Sequence, residues 1–579
     1  MLESARVQAC PGRSIDGIRT LWLELMTDIA SFRSLLPLLI PLAGAWVAWI
    51  LPPGSFFARV RRWFHIVILL GTCAFLVILG TRGADAIRLP FWGQLFEYGD
   101  GLEFSVDVLT ISFALLLTAV LAVISVSLAT RPMDRFDAVT SLVMVGSGIG
   151  TCMATNLLTL CLMWAMTDLA LLGIDLIRVP EESIPHAIRS VLNNLLSTLA
   201  LITAAVLLLV ERKTTGFSGL LLSGMPLVLM MAAALLRLSI YPLPGSLKRR
   251  WEAHLASLIT GSYLWLRIVG LAAGKLPGVA WLMPFCGGTL LITGLLISLS
   301  PDLATSLPYL LLNGIIVIVC APLVEAKAGL WVALVTALNL SLCLALVRAD
   351  VQVWPMRPLG RWVRIPLIIA FGSLIGWPLT LGFVAHWSFL KLCWTTGWRG
   401  LVLLGAVSYL FASVPVWNRL RQMRHEVRER GGTPRMGVWI ALGCVCLVAV
   451  TLVALGIDAS LLQRPWLRLS GALRLPTLPA LLGGDIRQIG ILLLTVVIVP
   501  ILGGYAFQRL WANAPRWLIR GTDAVSALLE LDWLYLGLEG VLVKVRFLLN
   551  QAAISIEQAL CLSWVLLWSL VIALFLLGG

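Results

Sequence analysis

The sequence predicts an all-α, polytopic membrane protein, and two observations carry this prediction. Of its 579 residues, 59% are hydrophobic and only 12% are charged, about half the charged fraction of a typical soluble domain. Apolar runs of about 18 or more residues recur from Leu35 to Leu577, and each is long enough to cross a hydrocarbon core of about 30 Å as a helix. We therefore expect about 16 transmembrane helices and no β-strands.

The predicted spans follow these apolar runs along the whole chain. They cover residues 34 to 52, 64 to 81, 105 to 129, 138 to 154, 156 to 177, 190 to 210, 222 to 243, 254 to 273, 279 to 299, 303 to 324, 328 to 348, 365 to 390, 400 to 418, 436 to 456, 488 to 507 and 559 to 577. No polar stretch between them is long enough to bury a soluble core. Redox or hydrolytic chemistry is therefore expected on partner subunits, and we predict no catalytic residue, no cofactor and no metal in this chain.

The positive charge of the chain, +14 in total, is unevenly distributed between the predicted loops. The loops after odd-numbered spans hold Arg59, Arg61, Arg62, Arg131, Arg135, Arg178, Arg189, Lys248, Arg249, Arg250, Arg357, Arg361, Arg364, Arg419, Arg421, Arg424, Arg428, Arg430 and Arg435. Loops after even-numbered spans are poorer in positive charge or offset it with acidic residues. The positive-inside rule then places the odd loops in the cytoplasm and the N-terminus outside, in a bacterial-type inner membrane. A basic patch for nucleic acid would need a cytosolic module, which is not expected here.

Both ends of the chain are predicted to differ from the core. Residues 1 to 33 mix charges of both signs and indicate a short N-terminal extension outside the membrane. After the core (34 to 456), a loop and one further span fill 457 to 507. Residues 508 to 557 alternate Arg and Lys with Trp and Leu, which favours an amphipathic helix lying at the membrane interface over a simple surface loop. A last transmembrane helix is expected within 558 to 579.

Ionisable residues inside apolar spans are candidates for function, because a charge in the bilayer costs at least a few kcal/mol. Arg237 is flanked by leucines and followed by Pro242, which interrupts helical hydrogen bonding. Its guanidinium cannot act as a deprotonating relay, since arginine keeps its proton in proteins. It would fix a counter-charge such as Asp168, bind an anion, or serve as a structural or snorkelling residue.

The other candidates lie nearer the ends of their spans. Asp107 opens the third span, His254 the eighth and Asp302 the tenth, whereas Asp175 is expected near the cytoplasmic end of the fifth. For His254, both a proton relay and a satisfied interfacial histidine stay open. His386 lies late in the twelfth span beside Trp387 and Lys391 and is expected at the interface.

Five segments resemble motifs of one known family, in the same order and at similar spacing. They are Gly376 to Phe383 (GWPLTLGF), with Gly376, Pro378 and Gly382 at the positions of a broken helix; Arg237 to Leu243 (RLSIYPL); Asn156 to Ala165 (NLLTLCLMWA); Asp302 with Pro308 and Tyr309; and Thr336 to Ser341. The family comprises the antiporter-like subunits of respiratory complex I, of membrane-bound hydrogenases and of multi-subunit cation/proton antiporters. The two spans after the core make the chain similar to the large, subunit-5-like branch.

The resemblance implies a 14-helix core of two inverted repeats, each with a discontinuous helix, one at Pro242 and one at Gly376 to Gly382. It also implies a mid-membrane axis of lysine, histidine and glutamate. Ala165 replaces the glutamate, Arg237 the central lysine, Ala304 and Ser341 two later lysines, and Ala337 a histidine. A proton path needs groups whose pKa can move through the working range, so the path is expected to be degenerate.

Three functional hypotheses follow. The first is an antiporter-like subunit of a complex I-like or cation/proton antiporter-like complex, acting as scaffold and seal or conducting weakly, with other membrane subunits, a soluble catalytic module and lipid as partners. The second is the ion-coupling membrane subunit of an inorganic-carbon or other solute uptake complex. The third is a lone polytopic transferase, hinted at only by Glu97 to Asp100.

Overall fold

The computed structural model describes residues 15–82, 87–89, 101–177, 184–217, 224–238, 251–272, 276, 279–300, 303–353, 365–425, 436–458 and 486–506. Side chains are described over most of these ranges, with exceptions near helix ends. The predicted interfacial segment and the sixteenth span lie outside the described residues.

The described residues fold almost entirely into helices. In chain order these are α1 Ile15–Ile50, α2 Ser55–Arg82, α3 Val108–Ser127, α4 Arg135–Met153, α5 Leu157–Ile177, α6 Ile184–Arg212, α7 Gly224–Arg237, α8 Trp251–Ala272, α9 Val279–Leu299, α10 Leu303–Val324, α11 Ala326–Val353, α12 Ile365–Leu374, α13 Leu381–Thr395, α14 Arg399–His425, α15 Met436–Ile457 and α16 Ile486–Leu493, which continues as the π-helical segment Leu494–Gly503. Among the described residues, 13 helices are long and apolar enough to cross a membrane. The predicted all-α, multi-pass membrane fold is confirmed.

The expectation of no strands is wrong in one place. A short antiparallel hairpin pairs β1 (Ile87–Leu89) with β2 (Leu102–Phe104) ahead of α3. Each strand has only three residues, too few to leave a period-two signal in the sequence. Phe104 is buried at 1% exposure, and the Ser105 N–H donates to the Met153 carbonyl at 2.8 Å. The hairpin therefore holds the N-terminal end of α3 against the C-terminal end of α4.

The centre of the bundle is α11, which packs against α3, α8, α10, α12, α13 and α15. We call α3 to α8 the first half of the core and α9 to α15 the second half. The two halves meet along α3, α8 and α11. By contrast, α6 turns leucine, isoleucine and valine side chains outward, as expected for a surface facing lipid or another membrane subunit.

The predicted span 365 to 390 is two helices rather than one. It separates into α12 and α13, and the intervening backbone takes positive φ at Gly376 (78°) and Leu379 (65°). Positive φ interrupts the helical hydrogen-bond ladder and favours glycine at position 376. The discontinuous helix implied at Gly376, Pro378 and Gly382 is therefore present. Its counterpart at Pro242 lies outside the described residues.

Candidate functional site

The first half of the core is built around a buried ion pair. Arg237 is the last residue of α7, and its Nη1 donates to Oδ1 of Asp168 in α5. Thr198 of α6 donates its hydroxyl to the other carboxylate oxygen. The exposed fraction of the side chain is 0% for Arg237 and 17% for Asp168. Three helices are thus tied together by one carboxylate.

The arginine is held from two further sides. Its Cζ lies 4.6 Å from the ring centroid of Trp164, a cation–π contact that is stronger in a desolvated site. A Cβ added at Gly261 of α8 would lie 3.2 Å from Cβ and Cγ of Arg237, so the glycine lets α8 approach the arginine closely. The predicted pairing of Arg237 with Asp168 is present in the structure.

Part of the guanidinium has no hydrogen-bond partner among the described residues. Nε and Nη2 of Arg237 are buried without a hydrogen bond, as is Oγ of Ser262 on the neighbouring α8. Buried donors of this kind are normally satisfied by water or by an acceptor ligand. Arginine nevertheless keeps its proton, so this cluster can orient water but cannot pass its own proton on.

In the second half, a hydrogen-bond network connects α12 to α13 across the break. Oγ of Ser373 donates to Oδ1 of Asn339 at 2.6 Å, and the Gly382 N–H donates to the Ser373 hydroxyl at 3.0 Å. Asn339 is on α11, so the network joins the broken helix to the central helix. These bonds supply partners for backbone groups that the break leaves outside the helical ladder.

His386 lies directly beside this break and is buried inside the bundle. Its predicted place at the membrane interface stays a prediction. Its exposed fraction is 5%. Its ring stacks on Tyr409 of α14 with centroids 4.0 Å apart and an interplanar angle of 6°. A Cβ at Gly376 would lie 2.4 Å from its Nδ1, which has no hydrogen-bond partner in the part of the chain that the structure describes. Because the span is broken, His386 sits in the second turn of α13 and not late in one continuous helix.

A second polar cluster lies between α9, α10 and α14. Asn313 donates to the hydroxyls of Ser408, at 2.5 Å, and of Thr293, at 3.4 Å. Ser408 in turn donates to the carbonyl of Leu290 at 2.7 Å. With Asn339 and Ser341, whose hydroxyl is buried without a partner, these groups can order water but cannot store a proton. His386 differs from them because an imidazole gains and loses a proton.

Asp107 begins α3 and forms an ion pair that the sequence analysis missed. It accepts the Thr110 N–H at 2.7 Å as a helix N-cap and also accepts from Arg267 of α8. The Arg267 guanidinium and the Thr110 N–H both stabilise the negative charge of the Asp107 carboxylate. The available signal was Arg267 itself, a charge between Leu266 and Ile268.

The remaining predicted site residues are described only in part. His254 falls in the first turn of α8, but its side chain lies outside the described residues, as does that of Asp175 in α5. Asp302 and Pro242 lie wholly outside them. The sequence analysis also overlooked His65 of α2, which is 1% exposed and bonded to the Ser141 hydroxyl at 3.0 Å.

The described part of the chain contains no group of three His, Cys, Asp or Glu side chains placed to hold a metal ion. Nine of its cysteines are free thiols, and most of these are buried or half-buried. Small buried thiols of this kind fill helix contacts. The expectation that the chain carries no cofactor stays a prediction.

No protein-family model and no curated protein matches the chain by sequence, but solved structures match its fold. A chain of the Mrp complex from Dietzia sp. has a TM-score of 0.67 at 19% identity, over 90% of this chain and 63% of that chain. This chain therefore spans a little under two thirds of its Mrp counterpart.

In two further structures, this chain matches nearly the whole length of one subunit. The membrane-bound sulfane sulfur reductase, an archaeal respiratory membrane complex, gives a TM-score of 0.63 at 16% identity over 94% of this chain and 99% of that one. Respiratory complex I from Thermus thermophilus gives 0.61 at 17% identity over 78% and 100%. The chain has the polytopic helical fold of antiporter-like membrane subunits, and the predicted resemblance is confirmed at the level of fold.

Proposed function

We propose that this chain is an antiporter-like membrane subunit of a multi-subunit ion-translocating complex, in which it serves mainly as scaffold and seal and conducts protons weakly. The fold supports the first part of this proposal, because each of the three similar structures belongs to a membrane complex. Its partners are then other membrane subunits, surrounding lipid and a soluble catalytic module that carries the driving chemistry. The complex sits in a bacterial-type inner membrane with the N-terminus outside, as the distribution of arginine suggests.

The observation that carries the second part is the Asp168–Arg237 pair. A relay at this position must release a proton during each cycle, but arginine stays protonated at any working pH. The guanidinium is moreover held by Asp168 and by the ring of Trp164. The pair therefore acts as a fixed electrostatic and structural link between α5, α6 and α7. We propose the same structural role for the Asp107–Arg267 pair at the start of α3.

The second half contributes the weak conduction. His386 is buried next to the helix break and can exchange a proton with water ordered by Asn339, Ser341 and Asn313. Among the described residues of these two clusters, Asn313, Asn339, Ser341 and Ser408 cannot store a proton. Efficient transfer needs a series of titratable groups, so conduction past His386 is expected to be weak.

Purification in mild detergent followed by identification of co-purifying proteins tests the assembly. We expect membrane subunits together with an iron–sulfur or hydrogenase-like module. Co-purification with a zinc-type soluble enzyme would instead identify an inorganic-carbon or solute uptake complex. A chain that purifies alone at native expression would contradict the proposal.

Replacing Arg237 by lysine is expected to increase proton conduction. An ammonium group keeps the ion pair with Asp168 but can lose its proton in a buried site. Proton flux into proteoliposomes, followed with a pH-sensitive dye under an imposed potential, should rise roughly tenfold over wild type. Arg237→Gln is the matched control and should show no rise. Equal flux from wild type and Arg237→Lys, with both proteins monodisperse, would contradict a fixed-charge role for Arg237.

Replacing His386 by glutamine is expected to remove most of the residual flux. Glutamine keeps hydrogen-bonding capacity but cannot titrate, so flux should fall at least about threefold, towards that of empty liposomes. His65→Gln is the matched control, since His65 is equally buried but bonds to Ser141 of the first half. Conduction that survives His386→Gln unchanged would place the proton path elsewhere.

A further inference from the structure

A groove follows one stripe of α2 on the outer surface of the bundle. It encloses about 470 Å3 and is lined by Phe56, Arg59, Val60, Trp63, Phe64 and Val67. Their spacing of three and four residues places them on one helical face. Phe56 is 64% exposed, Trp63 52% and Val67 62%. This aromatic, apolar surface is not covered by another described part of the chain.

The groove has one charged residue, Arg59. The side chain is exposed and makes no hydrogen bond or ion pair within the described residues. It lies four residues after the start of α2 at Ser55, which is about 6 Å along the helix. A guanidinium this close to a helix end can extend to the lipid headgroups. Val67, eight residues further on, lies about 12 Å further along the helix.

A second guanidinium adds to the positive potential at this end of the helix. Arg61 donates to the carbonyl oxygens of Leu51, Pro52 and Met133 at 3.2, 2.9 and 3.4 Å. Carbonyl oxygens carry no net charge, so these bonds fix Arg61 in place without cancelling its charge. An anion at Arg59 is therefore favoured by the neighbouring arginine as well.

We propose that this groove binds an anionic phospholipid. The lipid phosphate accepts hydrogen bonds from Arg59, and one acyl chain lies along Trp63, Phe64 and Val67. The charge at one end of the groove and the apolar surface below it match the two parts of such a lipid. This site is independent of the proposed ion-path residues and goes beyond the proposed function.

Native mass spectrometry of the full-length protein, titrated with dioleoyl-phosphatidylglycerol or dioleoyl-phosphatidylcholine, tests the site. Wild type should retain phosphatidylglycerol in preference to phosphatidylcholine. Arg59→Gln should weaken phosphatidylglycerol binding about fivefold and leave phosphatidylcholine unchanged. Arg399→Gln is the matched control, because Arg399 is also exposed and lies 5.8 Å from a tryptophan ring, that of Trp394. It should bind phosphatidylglycerol as wild type does.

Two additional measurements separate other occupants. Inorganic phosphate at millimolar concentration should not displace phosphatidylglycerol, and displacement would mean that only a free anion is recognised. A photo-crosslinking amino acid at position 60, activated in native membranes, should yield lipid adducts. A protein adduct there would identify the groove as the contact of a neighbouring subunit and overturn the proposal. Equal binding of the two lipids by wild type would also overturn it.

Discussion

Asp168→Asn is expected to destabilise the protein by about 3 kcal/mol or more, because it leaves the Arg237 charge buried without a counter-charge. Asparagine keeps the shape of the aspartate and still accepts a hydrogen bond. The loss of stability therefore measures the effect of the missing charge and not of altered packing. Arg237 is 1% exposed and cannot move its guanidinium into water without opening the contacts between α7 and α8. The measurement is thermal unfolding of the detergent-purified chain, with fluorescence-detected size-exclusion chromatography for variants of low yield.

The double variant Asp168→Asn with Arg237→Gln distinguishes charge imbalance from general damage. Removing both charges should recover part of the stability lost in Asp168→Asn alone, since the uncompensated cation is gone. Glu325→Gln is the control for loss of a carboxylate at an exposed position and should stay within about 0.5 kcal/mol of wild type. If Asp168→Asn unfolds at the wild-type temperature, the pair does not hold the first half together.

The first-half ion pair was predictable from sequence for a physical reason. A charge inside an apolar span must find a partner, and Asp168 was the carboxylate nearest the middle of a span that could reach Arg237. The same argument applied to Arg267 would have found its pairing with Asp107. Arg267 lies outside the motif positions that carry the family resemblance, so its pairing was not predicted.

The packing of His386 could not be predicted from the sequence. The predicted span treated residues 365 to 390 as one helix, although Gly376, Pro378 and Gly382 already indicated a break. A break resets the axis and rise of the following helix, so residues after it cannot be placed by counting 1.5 Å per residue from the start of the span. Its stacking on Tyr409 depends on the packing of α13 against α14, which the sequence of neither helix reveals.

The broken helix also gives the second large expected effect, at Gly382. This residue follows the N-cap Thr380 of α13, and a Cβ added to it would lie 1.6 Å from the carbonyl oxygen of Ser373 and 3.1 Å from Nδ2 of Asn339. The nearer atom belongs to the backbone, so no side-chain rotation can relieve the clash. Gly382→Ala must therefore push α12 and α13 apart and break the bond from the Gly382 N–H to the Ser373 hydroxyl. We expect a loss of about 3 kcal/mol or more, measured by thermal unfolding in detergent.

Gly443→Ala is the matched control for this substitution. Gly443 lies inside α15, and a Cβ added there meets no atom within 4 Å. Alanine should therefore leave stability unchanged or raise it by up to about 1 kcal/mol, the difference in helix propensity. If Gly382→Ala lowers the free energy of unfolding and Gly443→Ala does not, the loss of stability comes from the contact between Ser373 and Gly382. Glycine replacement in general would then not explain it. A Gly382→Ala protein as stable as Gly443→Ala would contradict the close approach of α12 and α13 and, with it, the position of His386 beside Gly376.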